Sequence, residues 1–331
     1  MRVLVIGGTV FVGRHIVDAA LAAGHEVTRF HRGKTDATPS SPVETIHGDR
    51  DGGLHALSGR TWDIVIDTCG YVPRLVRASA EFLKDSVSRY VFVSTVSVYA
   101  GFETIGLQEY APLGEIEGPS TEVVDAKTYG PLKAHCERAV GDVFGDRCLI
   151  VRPGIIVGPH DPTDRFTYWI VRIAEGGHML GPGKPEAPIQ FIDARDLAAW
   201  TISMIERDAH GVYHTVGPNE PTTWGSLLFT CCEVAQKRLS VHWLPDGFLL
   251  EQGVSGWKDL PLWLPPAEGK QGLFQIDGSR AREAGLITRS TADVVRDTLR
   301  WWRERAGTRL AVGIGRERIA EILRAWNDET K

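Results

Sequence analysis

The chain has 331 residues, 43% of them hydrophobic, enough for one large or two unequal domains with a buried core. Lys and Arg total 37 against 42 Asp and Glu, and the resulting net charge of −5 gives no electrostatic reason to expect nucleic acid or an anionic membrane as partner. Small neutral or anionic ligands remain open.

The first strand starts at Arg2, no signal-peptide pattern is visible, and no stretch reaches the length of a spanning helix, so a cytoplasmic protein is expected. Five cysteines (Cys69, Cys136, Cys148, Cys231, Cys232) form no CxxC pair, which argues against a disulfide framework or a zinc site. They read as small buried hydrophobes. His210 and His214 stand four apart but in a turn entering a strand, so no metal is implied.

Arg2-Val3-Leu4-Val5-Ile6 reads as a buried strand, followed by Gly7-Gly8-Thr9-Val10-Phe11-Val12-Gly13 and an amphipathic helix from Arg14 to Ala23. A strand that reverses into a helix over a few residues needs glycine, and the helix's first amides then face the strand's carboxyl end, where a pyrophosphate fits. Thr9, Phe11 and Val12 belong to that turn. Val10 stands where a middle glycine is usual and shields the backbone with a branched side chain. A purely structural βα turn is the alternative reading of this heptad.

Gly24 stops the helix and His25 to Phe30 resumes a strand. Past its end the chain has His31-Arg32 rather than an acid. An arginine there pairs with a 2′-phosphate, whereas a carboxylate would bind a free ribose hydroxyl, so NADP is favoured over NAD, against the alternative of a solvated basic loop. Gly33-Lys34-Thr35 resembles the end of a phosphate-binding loop but lacks its leading glycine and its helix. Val43 to His47 reads as a third strand, with Asp49 and Arg50 in the turn at its end, where Asp49 is either an acceptor for an adenine amino group or a cap. Trp62 to Asp67 makes a fourth strand, and Thr68, Cys69 and Gly70 bring small residues to the same edge. A helix is expected from Leu75 to Lys84, then a fifth strand from Tyr90 to Ser94 whose exit, Thr95-Val96-Ser97-Val98-Tyr99, carries hydroxyls.

Tyr129-Gly130-Pro131-Leu132-Lys133 opens a helix with an apolar stripe at Leu132, Cys136, Val140 and Phe144. Tyr129 and Lys133 therefore share a face. A phenol titrates near 10, and lowering that by roughly three units requires about 4 kcal/mol, which a close ammonium and a positive nicotinamide supply in a dry site. Tyr-x-x-x-Lys occurs in any helix by chance; its weight comes from following a fifth strand and a hydroxyl-rich turn.

These pieces, with Gly48-Asp49 and Arg152-Pro153-Gly154-Ile155-Ile156-Val157-Gly158-Pro159, resemble the extended short-chain dehydrogenase/reductase superfamily, which includes epimerases and dehydratases. The resemblance covers roughly residues 1 to 220. It implies an α/β fold with a doubly wound parallel sheet (Rossmann), the dinucleotide-binding domain over 1–152 completed by parts of 189–216, and a smaller C-terminal α/β substrate lobe over 153–331. It implies Tyr129 as catalytic acid/base, Lys133 as its partner and ribose ligand, and Thr95 as the catalytic hydroxyl, with Ser94 and Ser97 as nearby fallbacks. Ser94 and Pro153 join the expected cofactor site, and Ser97, Tyr99 and Ile155 the substrate site. Extended members often dimerise through the helices from Leu75 and Tyr129, so a homodimer is an expectation. Two departures argue against a nucleotide-sugar substrate: Ile155 and Ile189-Gln190 occupy the places of the usual asparagine and arginine, and neutral side chains cannot pair with a diphosphate. A dehydratase's acidic pair is here Val96-Ser97.

Beyond Val151 the composition shifts. His160 to Trp169 is expected to start a helix, and His160, Asp161, Arg165, Tyr168 and Trp169 are candidates to line the substrate pocket, against the alternative of a solvated loop. A strand at Ile189 to Ile192, a helix at Ala194 to Glu206, a strand at Val212 to Thr215, a helix at Trp224 to Lys237, a loop-rich stretch from Trp243 to Pro266 and two closing helices complete the chain. Three functions compete: an NADP-dependent reductase or dehydrogenase acting on a small, sugar-like or secondary-metabolite carbonyl; a sugar epimerase or dehydratase; and a non-catalytic RNA- or protein-binding fold, since the glycine turn also resembles that of chloroplast stem-loop RNA-binding proteins.

Overall fold

The computed structural model describes residues 1–35, 42–116, 121–305 and 307–329. Its centre is a parallel sheet built from β1 (Arg2–Ile6), β2 (Glu26–His31), β3 (Glu44–His47), β4 (Trp62–Asp67), β5 (Val87–Val93) and β6 (Cys148–Pro153), joined at one edge by a strand from much later in the chain, Gly211–Thr215. The spatial order is β3-β2-β1-β4-β5-β6 and then that late strand. Val3, Leu4 and Val5 of β1 are wholly buried because helices cover both faces, which is why the strands read as near-continuous apolar runs. The order of strands reverses between β1 and β4, and at such a switch the connections leave in opposite directions and open a crevice at the strands' carboxyl ends.

The helices are α1 (Phe11–Ala22), α2 (Pro73–Leu83) and α3 (Tyr129–Phe144). The first lies on one face of the sheet, and α2 packs against α3 on the other. Then come β7 (Ile156–Val157), α4 (Thr167–Glu175), β8 (His178–Pro182), β9 (Ile192–Asp193), α5 (Ala194–Glu206) and β10 (Gly211–Thr215), the late strand. α5 returns to the main body against α1, capped by the Asp193 carboxylate, which accepts from the Arg195 amide.

Of the expected strand at Ile189 to Ile192 only Ile192 pairs with β7, together with Asp193 just beyond it. The Ile189 and Phe191 amides are taken instead by the Thr222 and Gly217 carbonyls. The helix expected from His160 starts only at Thr167, because His160 and Asp164 hold left-handed φ of 70° and 52°, which a right-handed helix cannot include. The remaining elements are α6 (Trp224–Ala235), β11 (Ser240–Leu244), α7 (Asp246–Glu251), α8 (Ser279–Glu283), α9 (Thr291–Glu304) and α10 (Arg316–Glu329). β11 pairs in parallel with β8, a two-stranded sheet that the sequence reading missed; β8 contains glycine and proline, both weak strand formers, and Gly181 is bare because a Cβ there would stand 2.4 Å from the Trp243 ring. Among the described residues no helix is long and apolar enough to cross a membrane.

Candidate active site

A cleft of about 630 Å³ lies over the carboxyl ends of β1, β2, β4 and β5 and reaches Tyr129 and Lys133. Its floor is the glycine turn. Gly7 takes a left-handed φ of 102°, and a Cβ on Gly13 would meet the Gly8 backbone at 2.8 Å, so both glycines are needed to bring strand and helix together. Val10 is extended, with φ −125°, and no side chain caps α1; the Gly13 amide turns back to the Val10 carbonyl at 3.1 Å, which leaves the Phe11 and Val12 amides for a ligand. The Val10 side chain is 46% exposed on the rim, while Phe11 takes the left-handed conformation at φ 38°. Ser94 lines the same cleft, and its Oγ is buried without a hydrogen-bond partner among the described residues. An uncapped helix start and an orphaned buried hydroxyl in one cleft fit a dinucleotide with its phosphates on the glycine turn.

Thr9, Val12, His31, Arg32, Asp49, Arg50, Thr68 and Cys69 also line the cleft. Several are committed to the chain itself. The Thr68 hydroxyl donates to the Ile6 carbonyl at 3.0 Å, the Asp49 carboxylate accepts from the Asp51 amide at 3.1 Å, and His31 Nδ1 accepts from the Gly33 amide at 3.1 Å. Arg50 forks onto Asp67 at 2.7 and 3.2 Å and also donates to Ser79. Burial would raise the Asp67 pKa, but Arg50, the Tyr90 hydroxyl and the Lys133 charge hold it below the usual carboxylate range. Arg32, in contrast, is exposed. Gly70 and Pro153 are not on the cleft wall: a Cβ on Gly70 would meet Phe92 at 2.5 Å, and Pro153 is buried at the end of β6. Lys34, Thr35, Tyr71 and Ile156 also line the cleft; Lys34 and Thr35 belong to the segment set aside as an incomplete phosphate-binding loop, and the basic and hydroxyl pair after the second strand was the signal for them.

Gly130 sets the geometry at the other end. A Cβ there would lie 2.0 Å from the Ser97 carbonyl oxygen, so glycine lets α3 start directly against the turn that leaves β5. The Thr95 hydroxyl accepts from the Ser97 amide and is close enough to the Tyr129 phenol to favour its ionised form. Burial raises the Tyr129 pKa above its ordinary value, partly opposed by Thr95 and by the charge of Arg165. The expected direct pairing with Lys133 is absent. Its ammonium donates to the carbonyls of Gly70 at 2.8 Å and Val93 at 2.7 Å and sits 4.0 Å from the centroid of the Phe92 ring. Burial lowers its pKa to about 8, and the phenol is pushed up rather than down.

The expected substrate residues divide. Tyr168 and Trp169 are in the core, wholly buried, with the Tyr168 hydroxyl on the Ile314 carbonyl and the Trp169 indole on that of Pro261; once each ring's polar atom is satisfied inside, burial is the lower-energy placement. Tyr99 is buried behind α3, accepting from Arg152 at 2.8 Å and bonded to His214. Ile155 packs on the lobe's apolar core. Ser97 adjoins Gly130 and is half-buried. His160 and Asp161 line a second, shallower cleft of about 520 Å³ on the far side of the glycine turn, where the Asp161 carboxylate accepts from Thr163. Arg165 alone of this group shares an electrostatic field with Tyr129.

Residues 3–216 match the model of the NAD dependent epimerase/dehydratase family. The chain belongs to that family. Its fold is shared with family enzymes of known structure: WbmH of Bordetella bronchiseptica, solved with NAD+, is 16% identical, with a TM-score of 0.69 and coverage of 93% of this chain and 99% of that one. UDP-N-acetylglucosamine 4-epimerase of Bacillus cereus is 15% identical, with a TM-score of 0.69 over 95% of this chain and 100% of the other. By sequence, the chain is 23% identical to an isoflavone reductase homolog of Zea mays over 86% of its own length and 93% of the relative's. It is also 23% identical to a chloroplast stem-loop binding protein of Arabidopsis thaliana, over 75% and 67% respectively. Family membership makes the protein a nicotinamide-dependent one with the extended short-chain dehydrogenase/reductase architecture.

Proposed function

We propose that the chain is an NADP-dependent reductase or dehydrogenase acting on the carbonyl or hydroxyl of a small organic substrate. The nicotinamide, when bound, supplies or accepts the hydride. Tyr129 holds the proton that the substrate oxygen receives, and Thr95 orients both oxygens through its hydroxyl. The observation that carries this reading is the place of the Tyr129 phenol, with Lys133, on the wall of the same cleft as the glycine turn: a phenol is protonated at neutral pH and from there can donate to a carbonyl oxygen. Lys133 organises the ring end of the cleft by tying the β4 exit to the end of β5. Arg32 is the proposed ligand of the 2′-phosphate, supported by its exposure on the cleft wall and by the absence of an acid after β2.

The structural neighbours named as UDP-sugar 4-epimerases keep a second reading in view, in which oxidation and reduction both occur within one turnover. Titration of the protein with NADPH and NADH, followed by a panel of ketones, separates the two. Stoichiometric loss of NADPH absorbance with alcohol release is expected; turnover of a sugar nucleotide with no net change in absorbance would overturn the reductase reading.

A further inference from the structure

Arg165 differs from Arg50, Arg152 and Arg195. Arg50 and Arg152 each fork onto a carboxylate, and Arg195 does so on Asp193. Arg165 has a single hydrogen bond, from Nε to the Thr163 hydroxyl at 3.0 Å. Among the described residues it makes no ion pair, and its two terminal nitrogens have no partner. Its guanidinium carbon lies 5.1 Å from the centroid of the Trp257 ring.

Two strained segments meet at this stack. Trp257 and Leu262 hold left-handed φ of 66° and 65°, and His160 and Asp164, just before Arg165, hold 70° and 52°. Non-glycine residues hold that region only under strain, and such conformations gather at ligand sites. Desolvation lowers the Arg165 pKa, with only Asp161 and Tyr129 opposing it, and Asp161 spends an oxygen on Thr163. The nearest carboxylate, Asp161, reaches this guanidinium only through Thr163, so the fork itself is free to meet a planar anion.

We infer that Arg165, stacked on Trp257 and held by Thr163, anchors a carboxylate of the substrate. The inference rests on the reductase reading for the word substrate; the anion site itself does not. Two parallel N–H donors match both oxygens of a carboxylate, whereas a lysine would offer a point charge. A phosphate monoester offers a similar edge, and the two are told apart by titration.

The test is calorimetric titration of the NADPH-loaded protein with malonate, with malonamide and with inorganic phosphate, repeated on Arg165→Gln and Arg165→Lys. Malonate is expected to bind and malonamide not. Arg165→Gln should weaken malonate about tenfold or more and Arg165→Lys less, with NADPH affinity held within about twofold. Equal malonate affinity in wild type and Arg165→Gln, or phosphate binding tighter than malonate, would overturn the proposal. In turnover, an oxo acid should exceed its methyl ester about tenfold in kcat/KM, a preference lost in Arg165→Gln. If malonate behaves as expected while no ketone is reduced, the anion site stands and the reductase reading falls; reduction with no preference for the acid and no malonate binding sinks the inference alone.

Discussion

The two ends of the cleft treat their buried charges in opposite ways. At the carboxyl end of β4, Arg50 and Asp67 are closed on one another, with Ser79 accepting from Arg50 and Tyr90 donating to Asp67. Around Tyr129, Ser94 Oγ has no partner among the described residues and Arg165 leaves its terminal donors unused. Both regions are buried and polar, so burial alone does not distinguish scaffold from site. What differs is whether the chain completes its own hydrogen bonds: the closed network fixes the sheet edge, and the open one leaves donors free of chain partners.

That contrast predicts opposite responses to mutation. The largest effect belongs to the open end: Tyr129→Phe should lower kcat for ketone reduction about 10²- to 10⁴-fold while NADPH affinity and far-UV circular dichroism stay at wild-type values. Retained turnover would remove Tyr129 from the proton transfer. At the closed end, Arg50→Met strands the Asp67 carboxylate, whose residue is 0% exposed, and should cost about 3–5 kcal/mol in urea unfolding. A loss under about 1 kcal/mol would show that the pair is not structural.

Lys133 links the two ends and gives a pH signature. The folded ammonium loses its proton at about 8 against 10.5 for the unfolded chain. Between those values the unfolded state binds more protons, so stability rises with pH. Wild type should gain up to about 3 kcal/mol from pH 8 to 10.5 relative to Lys133→Met. Parallel pH profiles for the two proteins would mean that the lysine titrates normally. A smaller change is expected for Arg32→Ala: about tenfold weaker NADPH and less than about twofold weaker NADH by fluorescence titration, with equal losses removing Arg32 from the 2′-phosphate.

The sheet was readable from sequence because strands buried on both faces must be continuously apolar, as Val3 to Ile6 and Ile64 to Ile66 are. The four-residue spacing of Tyr129 and Lys133 was equally local. Less visible was the direction of the Lys133 ammonium, which depends on carbonyls at Gly70 and Val93 that only the folded sheet brings near. Tyr168 and Trp169 looked like pocket aromatics because the backbone groups that satisfy them, at Ile314 and Pro261, are remote in sequence. The Arg165–Trp257 stack was hidden for the same reason, its ring lying in a stretch that read only as loop.

The smallest predicted effect is the most direct check of the contrast between the ends. Arg165→Met removes a guanidinium whose hydrogen-bonding is limited to Thr163, so it leaves no carboxylate stranded by loss of an ion pair. The loss of the stack on Trp257 and of one hydrogen bond, each about 1 kcal/mol, is offset by release of a desolvated charge. Urea unfolding of the free protein should therefore change by less than about 1 kcal/mol, against the 3–5 kcal/mol expected for Arg50→Met. A loss as large as that at Arg50 would mean that Arg165 is already neutralised within the chain, and the open end of the cleft would then be scaffold as well.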